Sequence, residues 1–117
     1  MIKIIKEHND LHISLIAIKL GEDINVCIYG GDNPHIGAVA LAVPDERHGV
    51  SASVIAIPGH REDVIAREYS VKLSKALGCR VCILCGIHKD NASFEDINIF
   101  CNLVEEAIEE LRMEIEK

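Results

Sequence analysis

The sequence predicts an α+β domain, in which a mixed, mainly antiparallel sheet of five or six strands carries two helices packed on one face. Hydrophobic residues make up 49% of the 117 residues, with no Trp, two Phe and two Tyr. The core material is therefore aliphatic, and β-branched aliphatic residues favour strands. Helical periodicity occurs only in two stretches, after residue 60 and after residue 93. The length fits one domain that spans residues 1–117.

The first half of the chain predicts five strands joined by short polar turns. The predicted strands are residues 2–7, 11–20, 24–29, 35–43 and 50–57. Isoleucine alternates with charge in the first of them, which indicates an edge strand. A polar hairpin loop over residues 44–49 joins the fourth strand to the fifth, and Pro58 with Gly59 ends the fifth.

The second half predicts a helix, a strand and a second helix, so that the order is βββββαβα. The helix over residues 60–77 places Ile65, Tyr69 and Leu73 on one buried stripe. The continuous apolar run over residues 79–87 predicts a central strand. Ser93 with Asp96 resembles a capping box and begins the last helix, which reaches about residue 116.

Three polar segments, each with a histidine, interrupt the aliphatic chain at residues 30–37, 58–63 and 86–93. The fourth and fifth strands form a hairpin, so the start of one lies beside the end of the other. The fifth strand, the helix and the sixth strand form a crossover unit, so these two strands should be parallel. All three segments should therefore meet at one edge, where open α/β sheets commonly place ligands.

The residues at this edge favour an anionic, phosphorylated ligand with polar ring edges, because helix N-termini hold anions. The candidate ligand-contacting residues are His35, Gly59, His60, Arg61, Glu62, Asp63, His88, Asp90 and Asn91. Taken singly, the acidic and amide residues have an alternative interpretation as turn and helix-capping residues. That alternative supplies no reason for the histidines and Arg61.

The histidines also support a reactive interpretation. A divalent metal could be held by His60, His88 and Asp90, and histidine titrates near neutrality as a general acid or base. A small metal-dependent enzyme using His35, His60 and His88 is therefore an alternative function. The tight local spacing of a HExxH motif is absent from the sequence.

Cysteine spacing and charge limit other functions. Cys79, Cys82 and Cys85 lie in a predicted strand, where side chains alternate between faces, so one metal could not bind all three. The net charge of −7 argues against nonspecific nucleic-acid binding.

Without a membrane span or a signal-peptide pattern, we expect a cytoplasmic protein. The acidic last helix is either a solvated face or the docking surface of a protein-interaction module.

The polar segments resemble those of a known family. GGDNPHIGAVALA, PGHREDVIAR and GIHKDNASFEDI are similar to the small LpdD-type proteins, and the resemblance runs over residues 11–112. These are the D components of gallate- and hydroxybenzoate-type decarboxylases. The resemblance implies a non-enzymatic chaperone that binds prenylated FMN, or FMN, and serves a UbiD-type decarboxylase apoenzyme.

The resemblance also places the site within the motifs. The matching positions are His35, His60, Arg61, Glu62, Asp63, His88, Asp90 and Asn91. Flavin sites often stack an aromatic side chain on the ring, and this chain has few to offer. The ring would need aliphatic walls, to which a second subunit could contribute, so we expect a homodimer or higher oligomer.

Overall fold

A computed structural model describes residues 1–58 and 62–117 and contains six strands and two helices. Their bounds are β1 (Ile2–His8), β2 (Leu11–Leu20), β3 (Asp23–Gly31), β4 (Ala38–Asp45), β5 (Gly49–Ala56), α1 (Glu62–Leu77), β6 (Val81–His88) and α2 (Phe94–Glu116). The predicted order βββββαβα is confirmed, and so is the α+β class. No helix within the described ranges is long and apolar enough to cross a membrane.

The six strands form one mixed sheet in the order β1-β2-β3-β6-β4-β5. Every neighbouring pair is antiparallel except β3 and β6, which are parallel. The apolar strand β6 is central, and the charged strand β1 is at an edge, as predicted. Strands β5 and β6 run in the same direction, as expected for a crossover unit, but β4 lies between them.

Both helices pack on the same face of the sheet. Strand registers align Leu15, Ile28 and Cys85 in one row and Val26, Ile83 and Ala40 in the next, and all six side chains are buried. Helix α1 covers β4, β5 and β6, whereas α2 covers β1 and β2. Helix α2 contributes Phe100, Leu103, Val104, Ala107, Ile108 and Leu111 to this core.

Two predicted boundaries are wrong. Strand β4 begins at Ala38 rather than at residue 35, because the connection from β3 must first cross the end of β6. The hairpin loop is shorter than residues 44–49, since Asp45 pairs with Gly49 across the hairpin. The Asp45 carboxylate accepts hydrogen bonds from the Arg47 backbone N–H and the Ser51 hydroxyl, and these bonds lower its pKa.

The helix ends follow local sequence rules. Helix α1 ends before Gly78, whose φ of +67° is a left-handed conformation that favours glycine. Helix α2 begins with the predicted capping box: the Ser93 hydroxyl accepts from the Asp96 N–H, and the Asp96 carboxylate accepts from the Ser93 N–H. These bonds occupy backbone donors at the start of α2.

Candidate functional site

The first and third polar segments meet at one end of the sheet. The His88 carbonyl accepts hydrogen bonds from the backbone N–H groups of Asp32, at 2.7 Å, and Asn33, at 3.3 Å. The Gly37 N–H donates to the Cys85 carbonyl at 3.0 Å. These bonds hold the connection between β3 and β4, residues 32–37, across the end of β6. We call this segment the crossing connection. The predicted convergence of these two segments at the carboxyl ends of β3 and β6 is confirmed.

Two glycines allow this close crossing. A Cβ atom on Gly86 would lie 1.3 Å from the His35 carbonyl oxygen, and one on Gly37 would lie 2.6 Å from the Glu62 carboxyl group. Either substitution would force the crossing connection, or Glu62, to move. The sequence reasoning did not single out Gly86, although a lone glycine inside an apolar strand is a known signal of close backbone approach.

His35 is the centre of the site. Its Nδ1 lies 3.1 Å from the Asn33 carbonyl oxygen, which can only accept a hydrogen bond. Its Nε2 lies 3.1 Å from Oε1 of Glu62, which is buried at the first turn of α1. The pair ties the crossing connection to the start of α1.

His88 joins this group from β6. Its ring lies edge-on to that of His35, with 6.0 Å between the ring centroids. Its Nε2 lies 3.0 Å from Oδ1 of Asp90, at the exposed rim of the site. The site therefore presents two imidazole rings and two carboxyl groups at one edge.

The remaining residues of the third segment have mainly structural contacts. Asn91 occupies a turn with a φ of +55°, a conformation that Asn tolerates better than most residues. Lys89 pairs with Asp96 at 3.3 Å between Nζ and Oδ2. The hydrogen bond from the Ser93 backbone N–H, with Lys89 as a further cause, lowers the pKa of Asp96. The start of α2 is thus occupied by groups of the chain itself.

The second polar segment is described only at its ends. Pro58 follows β5, and Glu62 and Asp63 form the first turn of α1. The candidates Gly59, His60 and Arg61 lie outside the described residues. The structure therefore brings together His35, Glu62 and His88, with Asp90 at the rim. Asp63 follows Glu62 in the first turn of α1 and is half-buried.

Exposed aliphatic residues border the histidines. Ile36 is 61% exposed, and Ile57 is 45% exposed. The Ile57 N–H donates to the Gly37 carbonyl at 2.9 Å, which holds Ile57 beside the crossing connection that contains Ile36. Neither residue is among the candidates predicted from the sequence, although Ile36 lies within the first polar segment and Ile57 directly precedes the second. The site thus offers polar groups together with apolar surface.

Of the candidate metal ligands, His88 and Asp90 lie together, whereas His60 lies outside the described residues. Within residues 1–58 and 62–117, no three His, Cys, Asp or Glu side chains are grouped closely enough to hold a metal ion. Cys85 is buried under the helices, whereas Cys82 lies on the opposite face, as alternation predicted. Burial, with Glu62 as a further cause, raises the pKa of Cys85 to about 12, so this thiol is inert.

The acidic face of α2 is largely paired with bases of the chain itself. Glu105 pairs with Lys72 at 3.2 Å and Glu110 with Lys6 at 3.6 Å. Arg112 binds both Glu109 and Glu116. These pairs favour the interpretation of α2 as a solvated, ion-paired face over a docking surface.

Comparisons with known proteins identify the family and the fold of the chain. The sequence model of the prenylated flavin chaperone LpdD-like domain matches residues 7–116. No curated protein matches the chain. Among solved structures, a chain of the crystal structure of a chaperone complex for yeast 20S proteasome assembly matches with a TM-score of 0.65 and 15% identity. That match covers 97% of this chain and 94% of the other, and it shows the fold alone.

Proposed function

Because the chain belongs to the family of prenylated flavin chaperone LpdD-like domains, we propose that it binds prenylated FMN at the His35–His88 edge. We further propose that it delivers the cofactor to a UbiD-type decarboxylase apoenzyme and is itself not an enzyme. The observation that carries the proposal is the meeting of His35 and His88, 6.0 Å apart between ring centroids. Both histidines belong to segments that carry the family resemblance.

The donor set fits the ring system of a flavin. Flavin rings have polar edges and apolar faces, and this edge combines imidazole and carboxyl groups with the exposed side chains of Ile36 and Ile57. His35 and His88 would contact the polar ring edges, and the isoleucines would pack on a ring face. Glycine at positions 37 and 86 keeps the crossing connection close to β6, so these groups keep their spacing.

The phosphate group of the ligand would lie at the start of α1. The start of α2 is the weaker candidate, because the capping box already occupies the backbone N–H groups of Ser93 and Asp96. Lys89 is paired with Asp96. On the α1 side, Glu62 is paired with His35, which reduces its repulsion of an anion. Arg61, expected from the sequence to lie near the phosphate, and His60, expected to contact the flavin, remain part of the proposal as predictions.

An open rim suits delivery better than catalysis. The side chains of His88 and Asp90 are 41% and 78% exposed, so a ligand held there would stay accessible to a second protein. Enzymes that transform a flavin substrate commonly exclude water from the reacting groups. The prenyl-flavin chemistry would then belong to the decarboxylase that receives the cofactor.

The test is direct titration of the purified protein with FMN and with prenylated FMN, followed by absorbance and fluorescence. We expect binding of at least one flavin, and a dissociation constant that rises about tenfold or more in His35→Gln and in His88→Gln. A tenfold change corresponds to about 1.4 kcal/mol, the size of one hydrogen bond to a charged group.

The matched control is His48→Gln. His48 pairs with Asp45 in the hairpin loop at the opposite end of the sheet, so it should leave flavin binding unchanged. If neither FMN nor prenylated FMN binds at tens of micromolar, the proposal is contradicted. Equal losses in His48→Gln and His35→Gln would contradict the location of the site.

The metal-dependent enzyme and the homodimer stay predictions. Elemental analysis of the purified protein tests the metal-dependent enzyme. That alternative predicts a stoichiometric metal in the native protein and its loss in His60→Ala or His88→Ala. If no metal is found, and added divalent metals leave thermal stability unchanged, that alternative should be dropped.

A further inference from the structure

Within the described residues, no helix covers the face of the sheet opposite α1 and α2, and this face is largely apolar. The crossing connection meets it only near Gly86, at the end of β6. Strand registers align Ile16, Cys27, Leu84, Val39 and Ile55 in one row across β2, β3, β6, β4 and β5. We call this side the outer face: the alternate side chains of the sheet that no helix covers. Ile55 is 76% exposed, and the other members of the row are half-buried only by their neighbours in the sheet.

Charge on the outer face is confined to its margins. Lys3 and Glu7 lie on the edge strand β1, and Asp23 and Asp45 lie at strand ends. The outward positions of β2 to β6 between these margins are aliphatic, small or neutral polar, with His12 and His88 near the strand ends. An apolar centre within a polar rim is the usual composition of a protein interface.

The size of the outer face matches one side of a stable dimer. Six strands about 4.8 Å apart, each with roughly eight residues at about 3.3 Å, give an area of roughly 750 Å². A standard interface buries about 800 Å² on each partner. The smallest extent of the molecule is 20 Å, which leaves room for one sheet and one layer of helices only.

Charge distribution selects a second copy of the chain as the partner. Each copy carries a net charge of −7, and acidic residues are concentrated on α2. When two outer faces meet, the acidic helices lie on opposite outer sides, separated by both sheets. A two-fold interface must also be self-complementary, and a neutral apolar surface satisfies this requirement without paired charges.

We propose that two copies pack outer face against outer face, forming a dimer of four layers: helices, sheet, sheet, helices. The two sheets pack face to face as in a β-sandwich, about 10 Å apart. The proposed flavin edge adjoins this interface at His88, which ends β6 at an outward position. The dimer test uses Leu41 and the flavin test uses His35, so the two proposals can fail separately.

Light scattering coupled to size exclusion tests the dimer with one matched pair of variants. The chain has a mass of 12.9 kDa, and we expect the native protein to show twice this mass at about 100 µM. Leu41→Glu, at an outer-face position that is 45% exposed, should halve the measured mass. Ile97→Glu, at a position on α2 that is 50% exposed, should leave it unchanged.

A monomeric native protein would overturn the proposal, and so would a Leu41→Glu variant that stays dimeric. The second result would point to pairing through the edge strand β5. If circular dichroism shows that Leu41→Glu does not fold, cysteine alkylation of the native protein tests the dimer instead. Alkylation of Cys27 and Cys82, on the outer face, should slow at least fivefold as protein concentration rises, whereas Cys101 on α2 should not change. If the alkylation rates of these three thiols depend equally on protein concentration, the dimer proposal is also overturned.

Discussion

The two faces of the sheet are built from the same strands, yet only one is covered within the chain. Ile83 and Leu84 are neighbours on β6, with side chains of almost equal volume. Ile83 is fully buried under the helices, whereas Leu84 lies half-buried on the outer face. A strand that is apolar on both sides predicts cover on both sides. The difference shows that burial in this protein is decided by what packs on the sheet, not by the composition of the strand.

The largest expected effect comes from the matched substitutions Ile83→Ala and Leu84→Ala. Ile83→Ala leaves a cavity in the packed core and should lower the free energy of unfolding by about 2–5 kcal/mol. In dilute, monomeric protein, Leu84→Ala should cost clearly less, because fewer contacts are lost. Urea denaturation at low concentration measures both values.

The comparison of faces fails if the two alanine variants are equally destabilised in the monomer. It is sharpened if the cost of Leu84→Ala grows with protein concentration while the cost of Ile83→Ala does not. That outcome would mean that a second copy provides the missing cover for the outer face.

A smaller effect is expected at the start of α2, the helix that covers β1 and β2. Ser93→Ala removes the hydroxyl that accepts from the Asp96 N–H, and this should cost about 1 kcal/mol. Thermal or urea unfolding measures the change. Ser51→Ala, which removes a hydroxyl at the exposed hairpin, serves as a control and should cost less. A cost near zero for Ser93→Ala would show that packing alone holds the helix in place.

The smallest effect is a pH dependence carried by Asp96. Hydrogen bonding to Ser93, with Lys89 as a further cause, lowers the pKa of Asp96 below its ordinary value of 3.8. Its contribution to stability is therefore complete above that value and is lost as the pH falls through the lower folded value. The difference in unfolding free energy between the native protein and Asp96→Asn should shrink in that acidic range. A constant difference would contradict the assignment.

Most of the fold follows from local sequence patterns. Aliphatic stretches between polar turns identified β1 to β5, helical spacing identified α1, and Ser93 with Asp96 identified the start of α2. What local patterns could not supply is the position of β6 between β3 and β4. That position depends on pairing between residues far apart in sequence, such as Gly31 with His88, and the start of β4 at Ala38 follows from it. The error at residues 35–37 is therefore a consequence of topology.

The candidate site was predicted in part. His35 and His88 were expected at one edge because the directions of the predicted strands bring both polar segments to the same edge of the sheet. Their spatial proximity is confirmed, and their role in binding a flavin stays a prediction. Alternation cannot show that Glu62 turns toward His35, since a first-turn acid also serves as an ordinary helix residue. The function of Gly86 is equally hidden, because its role is to make room for another part of the backbone.

The crossing of residues 32–37 over the end of β6 has a consequence for how the chain folds. Strands β3 and β4 follow each other in sequence but leave a slot between them, which only β6 fills, about 40 residues later. Until β6 enters, both strands present unpaired hydrogen-bonding edges. We therefore expect insertion of β6 to be a late, rate-limiting event in folding, and a nascent chain that lacks it to be prone to aggregation. The histidine pair would then form only in molecules whose sheet is complete.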